Sequence, residues 1–367
     1  MTVLYDHQCF TGSSYGGVSR YFFDLMCSFD NRPDIQFELS LRLSNNEYLN
    51  QTSFSSHLRY PRLAHLRNVN RAASLFNRLY SLQRVQASQF DVFHPTYYHR
   101  YFLKSIGSKP FVITFHDATS ERYGKQYPEV GEGLYEAKKE LMKQASRIIS
   151  VSEFSKQEIL RFFPVKPEKI SVIHLGTNFS SFSGRQTLRT LPFPYLLYVG
   201  KRGLYKNFSG FFRAIQPVLS RHPDLHLVCA GGGAFTVDEQ ASFQASQLSK
   251  RVHYQFITDD SLFSLYQHAR AFVFPSLNEG FGIPVLEAFS AGCPVILSDR
   301  SSLPEVATDA AVYFDPEADD SIASAVERVI TSEDLRTVLS RRGTERLRQF
   351  SCEQTARKTL AVYQSLV

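Results

Sequence analysis

Short apolar runs alternate with helical patterns along nearly the whole chain. Residues 91–94, 111–115, 147–151 and 170–174 read as buried strands, and a further short strand is expected near residues 3–5. A second series follows at 195–199, 225–230, 252–256, 271–274, 295–298 and 312–314. Strands that alternate with helices call for parallel sheets covered on both faces, the doubly wound α/β arrangement. Between the two series lies 176–194, rich in Ser, Thr, Gly and Pro and poor in periodic apolar residues, which reads as a linker. A chain of 367 residues is also too long for one ordinary core, so two domains are expected, 1–180 and 190–350. Ligands of open α/β sheets bind outside the carboxyl ends of the strands, and with two such domains the expected site is an interdomain cleft.

The apolar fraction of 43% and charged fraction of 21% are those of a soluble globular protein. No apolar run reaches the roughly 18–20 residues that span a bilayer. The segment Met1-Thr2-Val3-Leu4-Tyr5-Asp6 lacks the basic and apolar regions of a signal peptide. Five widely spaced cysteines without a Cys-x-x-Cys pair suit a reduced cytoplasmic setting. Charge changes this picture in one place. Between His57 and Lys104 there are seven arginines and one lysine against a single acid, Asp91. Arg67, Arg71 and Arg78 share one helical stripe, and Val69, Ala73, Phe76 and Tyr80 are expected on the opposite side. Such a face is either simply solvated or drawn to an anionic acceptor or to anionic lipid on the inner face of the plasma membrane. Nothing in the chain resembles a nucleic-acid motif.

Four loops could carry chemistry. The first is Tyr15-Gly16-Gly17-Val18-Ser19-Arg20-Tyr21, a glycine pair before an amphipathic helix, which is either a tight turn or a cradle for phosphate or sugar. The second is Thr114-Phe115-His116-Asp117-Ala118, where His116 ends an apolar strand and is either a satisfied buried histidine or a contact to sugar hydroxyls. The third, Tyr198-Val199-Gly200-Lys201-Arg202-Gly203-Leu204-Tyr205-Lys206-Asn207, concentrates three cations in a strand-to-helix turn. Those cations could hold a diphosphate and stabilise it as a leaving group. The fourth is the most informative. Glu279 and Glu287 bracket Gly280-Phe281-Gly282-Ile283-Pro284-Val285-Leu286, with Pro284 suited to a helix start and Gly292 to its stop. Glycines that admit close backbone approach, a helix amino end and two carboxylates suit a ligand that is part phosphate and part sugar. The segment 227–233 likewise ends a strand in three glycines. There is no Asp-x-Asp pair, no Walker loop, no Gly-x-Ser-x-Gly elbow and no His/Cys cluster with metal-ligand spacing.

Taken in this order, the Gly16-Gly17 loop, His116-Asp117, the Gly-x-Arg-x-x-Tyr-Lys-Asn turn and Glu279-x7-Glu287 resemble the retaining glycosyltransferases of family 4. The resemblance covers essentially the whole chain and implies the GT-B fold, two facing Rossmann-like domains. It also implies that 351–367 form a terminal helix crossing back to the amino-terminal domain. Family members often carry Trp where Cys352 stands, a departure that bears on packing there. By the same resemblance Arg202 and Lys206 contact the donor diphosphate, with Lys201 as a third cation, and Gly16 and Gly17 approach the phosphates or the transferred sugar. Glu279 bonds the sugar's hydroxyls, helped by Gly280, Phe281, Gly282 and Ile283. Glu287 binds the ribose, and His116 stands near the reacting carbon. Metal-independent, front-face transfer is implied, so the two glutamates are a donor clamp and not a glycosidase carboxylate pair.

The paired signatures look similar to bacterial mannosyltransferase-like enzymes of surface polysaccharide synthesis. GDP-mannose is then the first expected donor, with UDP-hexoses as alternatives, and a saccharide or lipid-linked molecule the acceptor. Two other readings use the same architecture, a sugar-nucleotide epimerase or phosphorylase and a non-catalytic sugar-nucleotide-binding protein. The acid/base set of the first and a pyridoxal-binding lysine are not evident.

Overall fold

The computed structural model describes residues 1–12, 14–30, 32–52, 54–59, 67–127, 131, 133–179 and 191–367. It divides into two compact units, Met1–Gly176 together with Cys352–Val367, and Thr177–Ser351. Much of the expected linker, residues 180–190, lies outside the described residues.

In the first unit β1 (Thr2–Asp6) leads to α1 (Gly17–Asp30), β2 (Gln36–Ser40) and a small parallel pair, β3 (Leu43–Ser44) and β4 (Leu58–Arg59). Then come α2 (Arg67–Ala87), β5 (Val92–His94), β6 (Val112–Phe115), α3 (Thr119–Tyr123), α4 (Leu134–Gln144), β7 (Arg147–Ser150), α5 (Glu153–Phe162) and β8 (Ile170–Val172). The parallel strands run β2-β1-β5 and β6-β7-β8, and a parallel bridge between Phe93 and Phe111 joins the two sets. β2 was not expected. It is an edge strand whose outer part is not buried, and Glu38 within it is held by Arg84 of α2 at 2.6 Å, so it lacks the continuous apolar run of a central strand.

α2 corrects the expected amphipathic face. Its buried stripe is Ala73, Asn77, Ser81 and Val85 at a spacing of four, while Leu75, Phe76 and Leu79 are 48%, 53% and 59% exposed. Hydrogen bonds join the buried Ala73 and Val85 in seating this helix. The Asn77 Oδ1 accepts the N–H groups of Arg42 and Leu43, its Nδ2 donates to Leu43 O and Thr11 Oγ1, and Ser81 donates to Ser40 O. Arg71 is exposed, Arg78 is half-buried with Nη1 3.3 Å from His99 Nε2, and the side chain of Arg67 lies outside the description.

The last helix, α13 (Cys352–Gln364), belongs to this first unit. Its Tyr363 hydroxyl lies 2.9 Å from Tyr5 Oη and 2.5 Å from His94 Nδ1, and His94 Nε2 meets Thr114 Oγ1 at 2.9 Å. Burial, with His116 nearby, lowers the His94 pKa to about 3, and burial lowers that of His116 to about 4. Both imidazoles are therefore neutral when folded and gain protons on unfolding below about pH 6.5. Their contribution to stability is full above pH 6.5 and is lost as pH falls toward 4 and then 3. We expect the denaturant midpoint to decline between pH 6.5 and 5, above the carboxylate range, with net proton uptake on unfolding at pH 5.5. A flat midpoint with no uptake would contradict this.

The second unit contains β9 (Tyr195–Val199), α6 (Phe208–Arg221), β10 (His226–Ala230), α7 (Val237–Ala245), β11 (Val252–Gln255), α8 (Asp259–His268) and β12 (Ala271–Phe274). It continues with α9 (Ile283–Ser290), β13 (Val295–Ser298), α10 (Leu303–Ala307), β14 (Ala311–Phe314), α11 (Asp319–Thr331) and α12 (Glu333–Leu347). All six strands are parallel, in the order β11-β10-β9-β12-β13-β14. β9, β12 and β13 begin and end where the apolar runs do, because every residue in them is buried. Leu196, Phe211, Ile215, Leu227, Val273 and Ile296 form the centre of the core. The strand order reverses between β9 and β12, so the loops leaving these two strands flank the switch point where open α/β sheets bind ligands.

Candidate active site

The loop leaving β9 turns at Gly200 (φ +105°), passes through a short 3-10 turn, Leu204–Lys206, and enters α6 from Asn207, whose φ is +54°. The loop leaving β12 is tied to it, since the Leu277 N–H donates to Tyr205 O at 2.8 Å. This register brings Lys206 Nζ to 2.5 Å from Glu279 Oε1, with the two side chains 20% and 13% exposed. Glu279 is fixed at its backbone as well. Its N–H donates to Ser301 Oγ and its carbonyl accepts from Ser302 Oγ, both at 3.0 Å. These serines follow β13 and carry no signal in the sequence, because their role exists only where two strand ends meet.

Gly282 (φ +98°) starts α9, with Ile283 first and Pro284 second in the helix. L side chains rarely adopt that φ, so the turn favours glycine whatever space surrounds it. Phe281 is buried and packs edge-on against Phe350. Glu287 lies one turn into α9 and accepts the Tyr266 hydroxyl at 3.2 Å. Burial first, and then the Glu287 charge, hold the Tyr266 phenol well above its ordinary pKa, so it stays a donor to that carboxylate.

Arg202, expected at the donor diphosphate, makes its bonds within the second unit. The side chain is 4% exposed, and Nε donates to Glu239 Oε1 at 2.8 Å. Its terminal nitrogens donate to the carbonyls of Gly231, Gly233 and Ala234 at 2.8–3.1 Å. A guanidinium fork so placed grips the glycine turn after β10. That turn, Gly231 to Gly233, has φ of +71°, +73° and +87°, and a Cβ on Gly232 would meet Gly200 O at 2.2 Å. Lys201 is exposed.

In the first unit Gly16 and Gly17 are exposed at the start of α1, where Gly16 O accepts the Arg20 N–H and the Ser19 hydroxyl. His116 follows β6. Its backbone N–H donates to Tyr98 Oη at 2.9 Å, and its ring packs edge-on against Tyr21 and Phe22. Nε2 is shielded from solvent and has no hydrogen-bond partner among the described residues. Burial depresses this imidazole, opposed by Asp117 and reinforced by Lys138, so a neutral ring is presented at neutral pH.

Two family models match in tandem, Glycosyltransferase Family 4 over residues 15–181 and Glycosyl transferases group 1 over residues 184–346. The chain is 31% identical over 277 residues to O-antigen chain mannosyltransferase B of Escherichia coli, which covers 70% of each. It is 32% identical over 189 residues to O-antigen chain mannosyltransferase RfbU of Salmonella typhimurium, or 51% of this chain and 52% of that one. Among solved structures, sucrose-phosphate synthase from Thermosynechococcus elongatus has a TM-score of 0.79 at 19% identity, covering 100% of this chain and 98% of the other. Anabaena HepE in complex with UDP and glucose has a TM-score of 0.75 at 16% identity, covering 99% of each. Two Rossmann-like units of the GT-B class, with these loops at their strand ends, define a glycosyltransferase. The chain belongs to glycosyltransferase family 4.

Proposed function

We propose that this glycosyltransferase is a retaining, metal-independent enzyme that moves mannose from GDP-mannose to a saccharide or lipid-linked acceptor in bacterial surface polysaccharide synthesis. The observation that carries the reading is the Lys206–Glu279 pair beside the β9/β12 switch point. A cation for the leaving diphosphate and a carboxylate for sugar hydroxyls stand side by side there. Relatives named as O-antigen mannosyltransferases support mannose and the polysaccharide setting. HepE, described with UDP-glucose, supports a UDP-hexose as the second reading. In this assignment Lys201 and Lys206 meet the phosphates, Glu279 and the backbone of 280–283 meet the sugar, and Glu287 meets the ribose. Gly17 and His116 act at the transferred sugar. Transfer with retention then depends on placing donor and acceptor and on stabilising charge, with a donor phosphate oxygen helping to take the acceptor proton.

The test is a thermal-shift panel of GDP, UDP and their sugars, followed by transfer assays with and without EDTA and by anomer analysis of the product. Stabilisation by GDP-mannose, EDTA-resistant turnover and an α-linked product from the α-donor are expected. Inversion of the anomer, or loss of turnover in EDTA, would overturn the corresponding part.

No described helix is long and apolar enough to cross a membrane. We propose that the α2 face lies on anionic lipid, with Leu75, Phe76 and Leu79 entering the interface beside Arg71 and Arg78. Replacing the three apolar residues by serine is expected to lower binding to phosphatidylglycerol liposomes at least about tenfold, since each buried side chain is worth more than 1 kcal/mol. Glutamate at Arg67, Arg71 and Arg78 should act in the same direction. Flotation unchanged in both variants would end the idea.

A further inference from the structure

The turn that carries His116 is braced by a charge pair for which the transfer chemistry above has no use. Lys138 of α4 and Glu121 of α3 have side chains 1% and 0% exposed, with Nζ 3.0 Å from Glu121 Oε2. The same ammonium donates to Asp117 O and to Ser120 Oγ, both at 2.9 Å. It also lies over the rings of Tyr98 and Phe115, 5.0 and 5.1 Å from their centroids. Tyr98 in turn accepts the His116 N–H. One cation thus reaches the residue after His116, the residue before it, and the phenol that holds its backbone.

Stability alone does not account for this arrangement. A buried ion pair is often no more stable than apolar side chains of similar volume, and Glu121 Oε1 is shielded from solvent without a hydrogen-bond partner among the described residues. What such a pair supplies is one geometry in place of several. We infer that Lys138, anchored by Glu121, is a positioning residue that fixes the His116 imidazole for sugar transfer by holding the Asp117 carbonyl and the Tyr98 ring. The inference rests on the reading of His116 given above.

The groups that face His116 are Asp117 on its own turn, Lys138 on α4, Tyr98 after β5, Tyr21 on α1 and His94 on β5. Asp117 favours the imidazolium and Lys138 opposes it. Removing the ammonium should therefore raise the His116 pKa as well as loosen the turn.

The double variant Glu121→Gln with Lys138→Met removes both charges at similar volume and is expected to melt within a few degrees of the parent. In it the His116 imidazole, followed by NMR in the full chain, should titrate above the parent's value. Consumption of GDP-mannose and of UDP-glucose should show kcat reduced on the order of 10²-fold, as misplacement of a reacting group by about 1 Å can cause. KM should change little, and the acid limb of the rate profile should move to higher pH. A folded double variant with the parent's kcat and His116 titration overturns the inference. His116→Gln, assayed in parallel, separates the two readings: if it is inactive while the double variant is fully active, only the positioning role fails, and if it is fully active, both fail.

Discussion

Glu279→Ala is expected to lower sugar transfer by about 10²–10³-fold, the range seen when one preorganised contact to the reacting centre is removed. Nucleotide binding should survive or tighten. In the parent, Lys206 Nζ sits 2.5 Å from Glu279 Oε1, so the ammonium is shared between this carboxylate and whatever anion approaches it. Deleting the carboxylate frees Lys206 for the phosphates while the sugar loses its partner. The predicted signature is a large fall in kcat with an equal or lower Kd for GDP, measured by transfer assay and calorimetry. The fold should tolerate the change, because Ser301 and Ser302 hold the Glu279 backbone and not its side chain. A variant with unchanged turnover, or one that loses GDP affinity and turnover together, would show that Glu279 does not act on the sugar.

Arg202→Ala should instead act mainly on stability, by about 3–5 kcal/mol, the cost of removing one partner from a buried charge pair. It leaves Glu239 without its cation and strips donors from the carbonyls of Gly231, Gly233 and Ala234. Lysine at this position should not rescue, since one ammonium cannot match a planar fork that reaches Glu239 and three carbonyls. The paired change Arg202→Met with Glu239→Gln should recover part of the lost stability by removing the stranded charge. Urea unfolding measures all three. If Arg202→Ala unfolds at the parent's midpoint yet loses GDP binding, Arg202 is a diphosphate ligand, as the family resemblance implies, and not a clamp on the glycine turn.

These cases show where the residue pattern was readable. The strands of the second unit were legible because they are buried on both faces, which demands continuous apolar runs. The Glu279–Glu287 segment was legible because its turn needs glycine at 282 and its helix admits proline at 284, constraints that act on one residue at a time. Edge strand β2 escaped because its outer part is exposed. α2 departs from the expected face because Asn77 and Ser81 share its inner side with Ala73 and Val85 through hydrogen bonds, while Leu75, Phe76 and Leu79 point outward.

By itself the chain determined which residues have special chemistry and which local conformations they require: two glutamates around a glycine turn, three cations after one strand, and a histidine ending another. Hydrophobic periodicity and backbone sterics act over a few residues, and a linear pattern records them. Tertiary structure decided the partners. It gave Lys206 to Glu279, Tyr266 to Glu287 and Lys138 to the His116 turn, and it committed Arg202 to Glu239 and three carbonyls. Each of these bonds joins residues far apart in sequence, 73 apart for Lys206 and Glu279. A charge's role depends on what neutralises it and how much water reaches it, and both are set only when strand ends meet in space.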